Sequence, residues 1–189
     1  MKKKTMIVVV IAVGILVLAI LWFITSYNGL VNAQVTVDEK SAVIDTMLTR
    51  RADLIPNLVN TVKGYATHEQ EVYTALAEAR AKLNNSNSTE DRLEANNQLD
   101  SALSRLLVIV ERYPELKADR QFVTLMDQLE GAENRISTAR VDYNASVKQY
   151  NARIRRFPSN VLASLFNFEA RDMYEAPAND KETPEVSFD

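Results

Sequence analysis

Nineteen consecutive residues without a charge, Met6 to Ile24 (MIVVVIAVGILVLAILWFI), constrain this chain more than any other feature. As a helix rising about 1.5 Å per residue they span roughly 29 Å, close to the hydrocarbon thickness of a bilayer at about 30 Å. The competing reading is a cleaved leader, for which Val31-Asn32-Ala33 offers small residues before Gln34. The run is longer than the roughly 7–15 residues of a leader's apolar core, and Val31-Asn32-Ala33 lies well past its end. An uncleaved anchor over residues 6–25 is therefore expected. Lys2, Lys3 and Lys4 precede the run, and the first charge after it is Asp38. That asymmetry keeps residues 1–5 in the cytoplasm and sends the chain outward after Thr25.

Composition excludes several chemistries. There is no cysteine, so cysteine redox catalysis is ruled out, while an oxidising compartment is permitted. The net charge of −3 conceals a basic start and an acidic end, with five acids and one lysine from Glu175 onward. No basic face of the kind that binds nucleic acid is present. Residues 169–189 read as an acidic, flexible tail.

Between anchor and tail, residues 26–168 are rich in Ala, Leu, Glu, Gln, Arg and Asn and poor in glycine, which favours an all-α fold. Phe122, Leu129, Ile136, Tyr143, Tyr150 and Phe157 recur every seven residues, with Met126, Ala132, Ala139, Val147 and Ile154 between them. Such spacing marks a bundle seam. Ile55, Val62, Glu69, Leu76 and Leu83 form a second seam, and Leu99, Leu103, Leu106, Val110 and Tyr113 a third; Leu30, Val37, Ile44 and Leu48 form a weaker first one. Asn84–Asp91 reads as a polar loop with Ser88 or Thr89 as helix cap, and Pro114 and Pro158 as stops. Pro56 disfavours helix at Ile55 and Asp53 is a good cap type, so a helix break is expected between Arg51 and Pro56. The expected architecture is a single N-terminal transmembrane helix followed by an antiparallel up-down four-helix bundle.

The run Arg50-Arg51-x-Asp53-Leu54-Ile55-Pro56-Asn57-Leu58-Val59, continuing to Val62-Lys63-Gly64-Tyr65-Ala66 and His68-Glu69, resembles the hallmark of LemA family proteins. Tyr27-Asn28-x-Leu30-Val31, Ala79-Arg80, Tyr113-Pro114-Glu115-Leu116, Ala139-Arg140-x-x-Tyr143-Asn144, Tyr150-Asn151 and Phe157-Pro158 extend the resemblance over nearly the whole chain after the anchor. It implies a bacterial protein with an N-terminal membrane helix and an antiparallel helical bundle. It brings no established enzymatic activity and no agreed catalytic residues. The ending FNFEARDMYEA is looser than the aromatic-glutamate ending of that family.

Candidate chemistry is sparse. His68, the sole histidine, could share a helix face with Glu71, but a metal or acid–base site needs ligands from a second element, and a solvated surface is the simpler reading. No serine elbow and no glycine-rich phosphate loop is present. No metal and no cofactor are expected. Glu69 interrupts an apolar seam, so a buried pair with Arg105 or Arg140 is one expectation and a seam-edge carboxylate the other. Tyr143-Asn144 and Tyr150-Asn151 place two tyrosines on one stripe, with the neighbouring asparagines as candidate partners for their hydroxyls; a partner-binding groove is the alternative.

Two surfaces follow from the expected topology. Arg50, Arg51, Asp53, Pro56, Arg112, Tyr113 and Glu115 would meet at the far end as a partner site. Arg153, Arg155 and Arg156, followed by Leu162 and Phe166 in an amphipathic segment, would return to the membrane, where the apolar face either lies at lipid or caps the bundle. The function expected is a non-enzymatic, membrane-anchored interaction or scaffold protein of the bacterial cell membrane, its partner another envelope protein, with self-association left open. A ligand-sensing bundle is the alternative, although residues 1–5 are too few for a cytoplasmic output. An envelope hydrolase using His68 is the third.

Overall fold

A computed structural model describes residues 2–86 and 89–174. Among these residues the fold is all-α, without strands. Six helices follow one another: α1 (Lys2–Lys63), α2 (Gln70–Asn85), α3 (Thr89–Val110), the single turn α4 (Pro114–Lys117), α5 (Arg120–Arg155) and α6 (Ser159–Leu165). Ser88, one of the two expected caps, lies outside the described residues, as do residues 175–189 of the expected tail.

α1 is the one described helix long and apolar enough to cross a membrane. Its apolar stretch is exposed throughout, from Met6 at 64% to Ile24 at 47%, as a lipid-facing segment must be. Further along, the hydroxyls of Thr36, Thr46, Thr49 and Thr61 each donate to the carbonyl four residues back, which keeps these β-branched polar residues compatible with helix.

The expected break before Pro56 does not occur: α1 runs through Pro56 to Lys63. Proline within a helix removes one hydrogen bond and crowds the carbonyl four residues back, at a cost of about 3 kcal/mol. Here that carbonyl belongs to Ala52, and it accepts instead from Arg80 Nε on α2 at 3.0 Å. Ala52, Ile55, Leu58 and Val62 are all essentially inaccessible, so burial on both sides of the proline holds the helix together. The turn comes later, at 64–69, where Val62 O accepts from the amides of both Tyr65 and Ala66. The second expected seam is consequently shared, with Ile55 and Val62 on α1 and Leu76 and Leu83 on α2.

The chain forms two compact units. Unit 2 comprises residues 42–141. Its helix directions follow from its polar contacts. Tyr73 on α2 donates to Ala66 O, and Arg80 reaches Ala52, so α2 runs antiparallel to α1. Arg92 on α3 pairs with Asp45, and Asp100 with Arg51, so α3 runs parallel to α1. Tyr65 donates to Asp119 just before α5, and Arg51 meets Glu133, so α5 is antiparallel again. Ile44, Leu48, Ile55 and Leu58 pack in this core with Leu76, Leu99, Leu106, Leu116, Phe122, Leu129 and Ile136.

Unit 1 comprises residues 2–41 and 142–174. Leu30 and Val37 from α1, Tyr143, Val147, Tyr150 and Ile154 from α5, and Leu162 and Ala163 from α6 form its core. Phe157, expected to continue the α5 seam, is 83% exposed because the helix ends at Arg155 and the aromatic stripe ends with it.

Candidate functional site

The residues expected at one far-end surface separate. Arg50, Arg51 and Asp53 stand within α1, since the helix does not turn there. Arg50 is exposed and shares a cleft with Leu54, Asp127 and Arg135. Asp53 is exposed, with Arg80 3.8 Å away. Arg51 is only 5% exposed and therefore belongs to the interior rather than to a surface. Its Nη1 donates to Asn96 Oδ1 at 2.9 Å and lies 2.8 Å from Glu133 Oε2, and its Nη2 meets Asp100 Oδ1 at 2.5 Å. Asn96 Nδ2 in turn donates to Asp100 Oδ2 at 3.0 Å. One guanidinium thus joins three helices, the arrangement in which a buried charge is tolerated.

Arg112, Tyr113 and Glu115 do lie at a turn, but their neighbour is the 64–69 segment. Arg112 Nη2 pairs with Glu69 Oε1 at 2.9 Å, with Glu69 still partly solvated. The expected buried partners of Glu69 are corrected accordingly: Arg105 is exposed on α3, and Arg140 is half-buried on α5. The reason is local, since Glu69 precedes α2 in the turn instead of occupying a seam. Tyr65 donates to Asp119 Oδ2 at 3.0 Å, while Asp119 Oδ1 accepts from the amides of Gln121 and Phe122 and caps α5. The Phe122 amide first, the Tyr65 hydroxyl next and the Gln121 amide last hold the Asp119 carboxyl below its ordinary range; the bond from Tyr65 pushes the Tyr65 phenol up. His68 is exposed in this turn, and among the described residues no cluster of three His, Asp or Glu side chains could hold a metal.

The Tyr-Asn repeat does something other than internal pairing. In unit 1 the segment after α6 returns along α5, and both repeats bind its main chain. Tyr150 donates to Glu169 O at 2.8 Å and Tyr143 to Asp172 O at 3.1 Å. Asn151 donates to Arg171 O at 2.8 Å and accepts from Arg171 N at 2.9 Å; Asn144 treats Tyr174 in the same way, at 2.9 and 2.8 Å. The Tyr174 ring packs edge-on against Tyr143, centroids 4.9 Å apart. The asparagines therefore serve backbone rather than the tyrosine hydroxyls. Residues 169–174, expected to begin a flexible tail, are clasped to α5. Burial raises both tyrosine phenols.

Also within unit 1, Phe166 packs on Phe23 and Tyr27 of α1 with centroids 6.0 and 4.9 Å apart, and Phe168 lies 6.0 Å from Tyr27. Leu162 is buried, whereas Val161 and Leu165 are 57% and 68% exposed. α6 thus caps a core with one face and leaves an apolar second face uncovered. Arg153, Arg155 and Arg156 are exposed beside it.

The family model for the LemA family matches residues 40–188. The chain belongs to the LemA family. Magnetosome protein MamQ 2 of Paramagnetospirillum magneticum is 27% identical over 195 residues, covering 87% of this chain and 72% of that protein. Magnetosome protein MamQ of Magnetospirillum gryphiswaldense is 26% identical, covering 92% and 76%. Protein LemA of Metamycoplasma hominis is 25% identical, covering 84% and 74%.

Within this LemA family chain, the Arg51, Pro56, Arg80 and Tyr-Asn positions that carried the resemblance now have individual physical roles. Sequence reasoning missed the Arg51 node and the clasp. The available signals were an arginine at the face of an apolar stripe and two amides at a seven-residue interval.

Proposed function

We propose that this LemA family chain is a non-catalytic scaffold of the bacterial envelope. Met6–Ile24 is its anchor, residues 1–5 lie in the cytoplasm, and the helices after Thr25 lie outside. One observation carries the reading: the helix that exposes the membrane-length apolar stretch continues unbroken to Lys63 and supplies Ile55, Leu58 and Val62 to the core of unit 2. The side chains spent on charge in unit 2, Arg51 above all, stitch helices together. The relatives named as magnetosome proteins are likewise named for a structure rather than for a reaction, which supports a scaffolding role here.

The partner surface is the end of unit 2 where the 64–69 and 111–119 turns meet. It presents Tyr65 at 40% exposure together with His68, Arg112 and Glu115, and it takes another envelope protein. A photo-crosslinking side chain at Tyr65 in intact membranes should give a discrete adduct that Arg112→Glu abolishes, while the same probe at Val141 gives none. Adducts equal at both positions and indifferent to Arg112→Glu would refute the surface. Protease added to spheroplasts should digest unit 2; protection there, with digestion only in inverted vesicles, would reverse the orientation.

A further inference from the structure

Unit 1 contains a cleft of about 750 Å³ lined by Lys148, Gln149, Arg153, Arg156, Phe157 and Ser159, among others. Three cations line it and no carboxylate does. Among the described residues, which make nine ion pairs, none of Lys148, Arg153, Arg155 and Arg156 takes part in one. A concentration of uncompensated positive charge in a concave site is suited to an anion. Arginine's planar fork fits the oxygens of a phosphate group in particular, and Gln149 and Ser159 add neutral hydrogen-bonding groups.

The depth of the cleft identifies the source of that phosphate. Arg153 lies directly on α1 at Gly29, where an added Cβ would meet Nη2 at 2.3 Å. Gly29 is five residues past Ile24, or about 7.5 Å by the helical rise, and the headgroup layer extends about 5–8 Å beyond each face of the hydrocarbon. A second marker agrees: Phe166 sits on Phe23 and Tyr27, the aromatic pair at the end of the apolar stretch. Phe157, Val161 and Leu165 are exposed in the same segment, the disposition of an apolar surface entering the boundary between headgroups and acyl chains.

We infer that Arg153, Arg156 and Lys148 form a binding cleft for the phosphate of an anionic phospholipid headgroup. Gly29 is glycine so that the Arg153 guanidinium can lie against α1 at that depth. The inference rests on the reading of Met6–Ile24 as a bilayer span.

The test uses the full-length chain reconstituted with phosphatidylcholine and a minor fraction of phosphatidylglycerol, followed by native mass spectrometry of the retained lipid. Wild type should retain phosphatidylglycerol preferentially and lose the preference in high salt. Each arginine is worth about fivefold near an anionic surface, so Arg153→Gln with Arg156→Gln should weaken retention about 30-fold. Both side chains are exposed, and unchanged helicity confirms that the variant folds. Gly29→Ala leaves the charge intact but displaces a flexible guanidinium, and should lower retention severalfold. Retention unaffected by the double substitution overturns the proposal, and so does a loss there with none in Gly29→Ala, which would leave only diffuse charge attraction. Inorganic phosphate at millimolar concentration should compete weakly. If it displaces the lipid completely, or binds as well without lipid, the headgroup assignment is overturned in favour of a free anion. A wild-type chain that fails to enter bilayers defeats the anchoring reading, whereas one that enters without lipid preference defeats the cleft alone.

Discussion

Arg80 on α2 donates from Nε to the carbonyl oxygen of Ala52, the carbonyl that Pro56 deprives of its helical donor four residues on. The bond spans 28 residues of sequence and replaces a contact that any residue but proline would have made locally. A buried carbonyl left without a donor costs about 1–3 kcal/mol. The proline thereby makes the continuity of α1 depend on α2.

A double-mutant cycle isolates this dependence. Arg80→Ala should destabilise the chain by about 1–3 kcal/mol with Pro56 present, and by clearly less in the Pro56→Ala background, where the amide of residue 56 serves Ala52. Chemical denaturation monitored by helicity gives the four free energies. Equal costs of Arg80→Ala in both backgrounds would show that the two residues act independently.

The Arg51 node predicts an asymmetry. Replacing both Asp100 and Glu133 by their amides strands a nearly inaccessible guanidinium, which should cost about 3–5 kcal/mol. Arg51→Met leaves two carboxylates on side chains that are 43% and 39% exposed, and Glu133 can turn its inaccessible Oε2 outward to water, so it should cost distinctly less. Melting temperatures of the two variants decide the order; a more harmful Arg51→Met would mean that shape, rather than charge, governs the site.

Acid should weaken the start of α5 through Asp119. Its folded-state carboxyl titrates below the ordinary carboxylate value because the amides of Phe122 and Gln121, and Tyr65, bond the charged form. The resulting stability is fully present above the ordinary value, near pH 4, and is lost as pH falls through the folded one. Asp119→Ala should therefore be less stable than wild type at neutral pH, and the difference should shrink in acid. A difference independent of pH would place the effect in packing.

Each asparagine of the clasp supplies two bonds to the 169–174 segment. Asn151→Ala or Asn144→Ala should speed amide exchange at Arg171 or Tyr174 about 30-fold, the equivalent of two hydrogen bonds at about 1 kcal/mol each. Substitution by Asp keeps the acceptor alone and should fall between. Alkali should open the clasp as well. Burial raises the folded phenols of Tyr143 and Tyr150, so their contribution is intact below the ordinary value near 10 and is lost as pH rises through the folded values. Exchange that ignores the asparagines would mean that the Tyr143 and Tyr150 hydroxyls and the Tyr174 ring hold the segment without them.

The sequence determined the apolar run, the all-α composition and the heptad stripes. These depend on residue type and spacing along one helix, and Leu30, Leu76, Leu106 and Ile136 are buried where the stripes put them. Pro56 could not be judged that way, because its local signal says break and the compensating donor comes from another helix. The clasp was hidden for a related reason. Seven residues of helix rise about 10.5 Å and three residues of extended chain about 10 Å, so Asn144 and Asn151 match Tyr174 and Arg171 in register. What they bind is main chain, and main chain has no letter in the sequence; only the return of the segment along α5 brings it within reach.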